Sequence, residues 1–128
     1  MLLASTCAHE LAHQRGIASE QQCNFLAVLA CTRCGDANYN YAGWMLGYIH
    51  LGNALYRADP EAWQAIRSGL PACVVSDLRA NSAYWAQYDG PAASVTQSLN
   101  DSMIRSYGDE LGTQSYGAVV DLLVLYFA

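Results

Sequence analysis

The sequence predicts an all-α domain of six or seven helices, and three observations carry that reading. Apolar residues recur at helical spacing throughout, and no run rich in Val, Ile and Thr alternates with period two. The breaks between apolar stretches, at Gly16, at Gly35-Asp36 and at Asp59-Pro60, carry helix-ending or helix-starting residues. A chain of 128 residues suits one domain with a single core.

The first helix is expected over about Leu2 to Gln14, ending at Gly16, a residue that tolerates the left-handed conformation at a helix C-terminus. Ser19 then caps a second helix, with Glu20 in its first turn, running to about Arg33. Its stretch Phe25 to Cys31 is apolar all round, as in a helix buried on every side. Gly35 to Asn38 reads as a turn, followed by a long helix from about Tyr39 to Tyr56. Within it, Tyr39, Tyr41, Trp44 and Tyr48 fit core packing or a membrane-adjacent face better than a substrate cleft. Pro60 sits in the first turn of a short helix, and Pro71 opens another towards Tyr88. Asp89-Gly90-Pro91 breaks the chain, and two last helices are expected over Ala92 to Ser106 and Thr113 to Phe127.

Composition narrows the function classes. Hydrophobic residues make up 53% and charged residues 13%, so the chain must bury much of its surface in its own core or against something else. Eleven acids against six arginines, with no lysine, leave a net charge of −5. That balance lacks the electrostatic footprint of a nucleic-acid binder. No signal peptide is visible, and no uninterrupted apolar run reaches the roughly 18 residues needed to span a bilayer. A candidate site opening at residue 9 and an apolar ending "LLVLYFA" suggest a piece of a longer chain. The five cysteines are read mostly as small buried hydrophobes; the alternative is a disulfide or redox pair at Cys31-Thr-Arg-Cys34.

The chemistry concentrates in His9-Glu10-Leu11-Ala12-His13. Positions i and i+4 share one helix face, so His9 and His13 can aim ring nitrogens at one metal ion. Glu10, turned by about 100° on the helix, cannot comfortably ligate the same ion but can reach a water beside it. That is the division of labour of a zinc peptidase, in which the glutamate serves as general base. The competing account is two helix histidines that hydrogen-bond locally.

A catalytic zinc needs a third protein ligand and an open position. Continuing the motif as HExxHxxGxxH would require histidine at position 19, which is Ser19. The pattern ExxA[DN] is met instead by Glu20-Gln21-Gln22-Cys23-Asn24. Glu20 is then the third ligand, Cys23 takes the small position, and Asn24 orients a ligand histidine through its other nitrogen. For the oxyanion of a tetrahedral intermediate, Tyr116 and His50 are candidate donors, against aromatic core packing as the alternative.

The run "HELAHQRGIASEQQCNFLAVLAC" resembles a segment typical of a bacterial family, domain of unknown function 3810. "YAGWMLGYIHLGNALY", "SLNDSMIRSYG" and "SYGAVVDLLVLYF" resemble further parts of it, so the likeness runs through most of the chain. The resemblance implies a membrane-anchored zinc metallopeptidase of the gluzincin kind, with membrane-spanning helices upstream of the HExxH helix and a peptide or protein as substrate. The family usually carries glutamate at the positions of both Glu20 and Gln22, which makes position 22 the alternative for the third ligand. The two lie about 200° apart on a helix and cannot both face one ion; only Glu20 gives the ExxA[DN] register. Gluzincins also present an edge strand to the substrate, and no upstream strand is available here. A second class of function therefore stands beside the enzyme: a catalytically inactive helical domain that binds or senses within a membrane-associated parent.

Overall fold

A computed structural model describes residues 1–88 and 118–128. Among the described residues the structure is all-α, with six helices and no strand. They are α1 (Leu3–Gln14), α2 (Glu20–Arg33), α3 (Ala37–Ala58), α4 (Pro60–Ser68), α5 (Ala72–Ala86) and α6 (Ala118–Phe127). The helix expected over Ala92 to Ser106 and the start of the one expected from Thr113 lie outside the described residues.

The centre is a three-helix layer in which α2 packs against both α1 and α3, with α6 laid across α2 and α3. On α2 the buried residues are Cys23, Asn24, Ala27, Val28 and Cys31, a stripe at three- and four-residue spacing along one helix face. The expectation of burial on every side is corrected by Ala30, which is exposed. Small residues dominate where α2 meets α3. A Cβ at Gly43 would stand 2.8 Å from Cys31 Cβ and 2.9 Å from the Thr32 backbone nitrogen, so the helices touch backbone to backbone there. Larger side chains fill the wider end, where Val28, Val119 and Leu123 are buried with Phe25, Leu46 and Val120 against them.

Local capping explains the helix limits. Asp36 accepts from the backbone nitrogens of Asn38 and Tyr39 at 2.8 and 3.2 Å, which starts α3 at Ala37. The turn expected over Gly35 to Asn38 is therefore shorter than the sequence suggests, because Asp36 acts as a cap. Asp59 caps α4 in the same way, accepting from Ala62 at 3.0 Å with Pro60 in the first turn. Ser19 occupies the cap position of α2 but makes no capping hydrogen bond, and its hydroxyl is buried without a partner. Asn40 Nδ2 donates to the Thr32 carbonyl at 2.7 Å, and Tyr41 donates to Asp77 at 2.7 Å, tying α3 to α2 and to α5. That bond to Asp77, more than burial, pushes the Tyr41 hydroxyl pKa up to about 12.

All five cysteines are free. Cys23 and Cys31 are buried as expected of small hydrophobes, but Cys7, Cys34 and Cys73 are exposed. The difference follows from position: Cys34 caps the end of α2, beyond the stripe that faces α3.

Candidate metal centre

The end of α1 builds half of the site. Gly16 has φ +91° and terminates the helix in a left-handed turn. The Gly16 nitrogen donates to His13 O at 2.9 Å and the Ile17 nitrogen to Ala12 O at 3.3 Å, the paired bonds of a Schellman closure. This turn carries the Ile17 carbonyl back over His13, whose Nδ1 lies 2.8 Å from it. A carbonyl oxygen only accepts, so His13 Nδ1 carries the proton and Nε2 keeps its lone pair.

His9, one turn earlier, is held from the next helix. Asn24 Oδ1 lies 2.9 Å from His9 Nδ1. With Nδ1–H donating to the amide oxygen, His9 Nε2 is likewise a bare acceptor. The two Nε2 atoms face each other at 3.1 Å, and the rings meet edge to face with centroids 4.8 Å apart.

Glu20, at the start of α2, closes the constellation. Its Oε2 stands 3.1 Å from His9 Nε2 and its Oε1 3.3 Å from His13 Nε2. One donor atom from each of His9, His13 and Glu20 fits within 4.8 Å of the others. Two imidazole lone pairs and a carboxylate aimed at one point repel unless a cation lies between them. The donor chemistry therefore fits a divalent metal with mixed nitrogen and oxygen ligands.

Cys23 packs behind His13. Its Sγ lies 3.4 Å from both His13 Nδ1 and the Ile17 carbonyl, on the side of the ring away from Glu20. Burial first, then the charges of Glu20 and Glu10, push this thiol up to about 11. It stays protonated at neutral pH and serves as packing and a weak donor rather than as a thiolate ligand.

Glu10 is exposed and shares with His9, Glu20, Asn24, Thr6 and Leu46 a cleft of about 260 Å³ beside the donor cluster. Gln22 is exposed. His50 is half-buried on α3, and burial first, then repulsion from His9 when that ring is itself protonated, lowers its pKa. Tyr116 lies outside the described residues. The sequence reading missed three contributors: the Ile17 carbonyl, the Cys23 thiol against His13, and Leu46 in the cleft wall. Gly16 was the available signal for the first, because a Schellman turn fixes where the following carbonyl points.

Fold and site together define a helical domain whose HExxH helix and following helix bring two histidines and a glutamate to one point. The chain belongs to the family DUF3810, described as "Protein of unknown function (DUF3810)", whose model matches residues 1–124. No curated protein and no solved structure matches it.

Proposed function

We propose that this domain is a zinc-dependent metallopeptidase in which His9, His13 and Glu20 hold the ion and Glu10 is the general base. The observation that carries the proposal is the convergence of two Nε2 lone pairs and the Glu20 carboxylate, with both Nδ1 atoms already engaged. Zinc would supply Lewis acidity there, polarising a peptide carbonyl and easing deprotonation of the attacking water. Glu10 would take that proton as the water oxygen bonds to the carbonyl carbon, then deliver it to the amide nitrogen as the C–N bond breaks. Its exposure beside His9 leaves the carboxylate free to do so. Asn24 and the Ile17 carbonyl would keep the imidazoles in the ligating tautomer.

Two variants test this. Protein purified in trace zinc should hold about one zinc per chain, lost in His9→Ala. Glu10→Gln should retain the metal and abolish hydrolysis of a peptide library by the full-length protein. A folded chain that takes up no metal overturns the proposal in favour of a non-catalytic binding or sensing domain.

From the family resemblance we further infer a membrane-associated parent protein. No helix among the described residues is long and apolar enough to cross a membrane, so the anchor would lie elsewhere. Fractionation of the full-length protein into the soluble pool would refute that inference.

A further inference from the structure

The segment Cys31-Thr-Arg-Cys34 closes α2 at the end opposite Glu20. Both thiols are free, with Cys31 buried and Cys34 exposed. The Cys34 nitrogen donates to the Cys31 carbonyl at 3.2 Å, completing the last turn of the helix. A turn closed in this way holds its end Cα atoms within about 7 Å. Side chains three residues apart on a helix share a face, with Cβ atoms about 5–6 Å from one another. A disulfide needs Cβ atoms about 3.5–4.5 Å apart. The two sulfurs can therefore bond once the turn tightens by about 1–2 Å.

The surroundings decide which half of the turn moves. A Cβ at Gly43 would stand 2.8 Å from Cys31 Cβ, so α3 lies hard against Cys31. Cys34 is exposed and stands in extended backbone, with φ −69° and ψ 138°. Closure accordingly draws Cys34, and the two residues between the cysteines, towards Cys31. Those two residues tie the turn to its neighbours. The Thr32 carbonyl accepts from Asn40 Nδ2 of α3 at 2.7 Å. The Arg33 guanidinium lies over the Tyr126 ring of α6, 5.2 Å from its centroid. Attraction of a cation to a ring holds only within about 6 Å, so a displacement of Arg33 by an ångström or two breaks the contact with α6.

We propose that Cys31 and Cys34 form a reversible disulfide when the chain meets a low-molecular-weight disulfide, and that closing it loosens α6. Cys34, the accessible thiol, reacts first: its thiolate bonds to one sulfur of the oxidant and expels the other half. The Cys31 thiolate then bonds to Cys34 Sγ and expels the second half. Two protein thiols are oxidised, one external disulfide is reduced to two thiols, and the two cysteine protons end on the departing sulfurs. Burial first, then the neighbouring thiolates of Cys34 and Cys7, pushes the Cys31 thiol up, so the second step is the slower one and accelerates with pH. A bond that strains its turn is readily reduced again, which suits a switch better than a permanent brace. The device needs no metal and is independent of the histidine cluster.

Arg33 lies between the two cysteines, so trypsin separates them into peptides 16–33 and 34–57, and a disulfide keeps these joined. The full chain is treated with oxidised glutathione, alkylated and digested without reduction. The joined pair should form faster at higher pH, disappear with dithiothreitol, and be absent from Cys34→Ser and Cys31→Ser. Hydrogen exchange of the amides of α6 should be about tenfold faster in the oxidised chain than in the reduced one, with α1 unchanged and Cys34→Ser indifferent to the oxidant. Peptide 16–33 also contains Cys23, so a joined pair that persists in Cys31→Ser overturns the assignment. Should Cys31→Ser fail to fold, fragmentation of the joined peptides locates the bond instead, and a bond to Cys23 overturns it equally. Cys34 that carries only glutathione at saturating oxidant overturns the disulfide, and a Cys31–Cys34 bond that leaves α6 exchange unchanged overturns the switch.

Discussion

Asn24 on α2 holds His9 on α1 through a single contact of 2.9 Å between Oδ1 and Nδ1, across fifteen residues of sequence. The bond fixes both the rotation of the imidazole and the tautomer that leaves Nε2 free. Loss of such an outer partner typically costs about 10–100-fold in metal affinity. Asn24→Ala should weaken zinc binding within that range, whereas Asn24→Asp keeps an acceptor and should bind at least as tightly as wild type. Competitive titration against a chelating dye measures both; an aspartate variant as weak as the alanine would show that the contact does not orient the ring.

The same titration distinguishes positions 20 and 22. Glu20 places both carboxylate oxygens within 3.3 Å of the histidine nitrogens, and Gln22 is exposed. Glu20→Gln removes a negative ligand and should lose far more zinc affinity than Asn24→Ala, while Gln22→Ala should match wild type. An emptied site in Gln22→Ala, with Glu20→Gln still loaded, would refute the ligand set.

Two glycines of α3 should respond in opposite directions. A methyl at Gly43 meets Cys31 Cβ and the Thr32 backbone at 2.8 and 2.9 Å, atoms that move only if α2 and α3 separate. Gly43→Ala should destabilise by about 1–3 kcal/mol. At Gly47 the nearest atom is Val28 Cγ1 at 3.6 Å, an ordinary contact. Gly47→Ala should be neutral or stabilise by up to about 1 kcal/mol through helix propensity. Urea midpoints give both values, and the reverse order would refute the close helix crossing.

His50 should make the fold acid-sensitive. Burial first, then repulsion from His9 when that ring is itself protonated, holds its pKa below the ordinary 6.5. As pH falls below 6.5 the unfolded chain takes up this proton before the folded one, so stability declines until the lowered folded pKa is passed. Above 6.5 neither state is protonated and the residue contributes no pH dependence. Between about pH 7 and pH 5.5, with chelator present, the wild-type urea midpoint should therefore drop more than that of His50→Asn. Parallel slopes would show that His50 titrates normally.

Much of this architecture is legible because its signals are local. Gly16 ends α1, Asp59-Pro60 starts α4, and the four-residue spacing of His9 and His13 places both on one face. The spacing from Glu20 to Asn24 likewise gives the register in which one residue reaches both imidazoles and the other reaches His9 from behind. Illegible features depend on tertiary contact or on backbone atoms. Asp36 reads equally as a turn residue or as a cap until its carboxylate is seen on Asn38 and Tyr39. Ser19 has the right side chain for a cap and makes no such bond. The partner of His13 is a main-chain carbonyl, which no residue type announces. Cysteine burial depends on which helix face meets a neighbour, so Cys31 and Cys34 diverge within one turn.

The Schellman closure at Gly16 also sets the topology of the donor cluster. The connector from Arg15 to Ser19 is all that separates the two helices that carry His9, His13 and Glu20. The entropy of bringing chain ends together rises only with the logarithm of loop length and is small for so short a link. The three donors can consequently meet as soon as α1 and α2 form a hairpin, before α3 or α6 docks. An ion captured by that hairpin would bias the chain towards its native crossing, making metal uptake an early event of folding rather than the loading of a finished cavity.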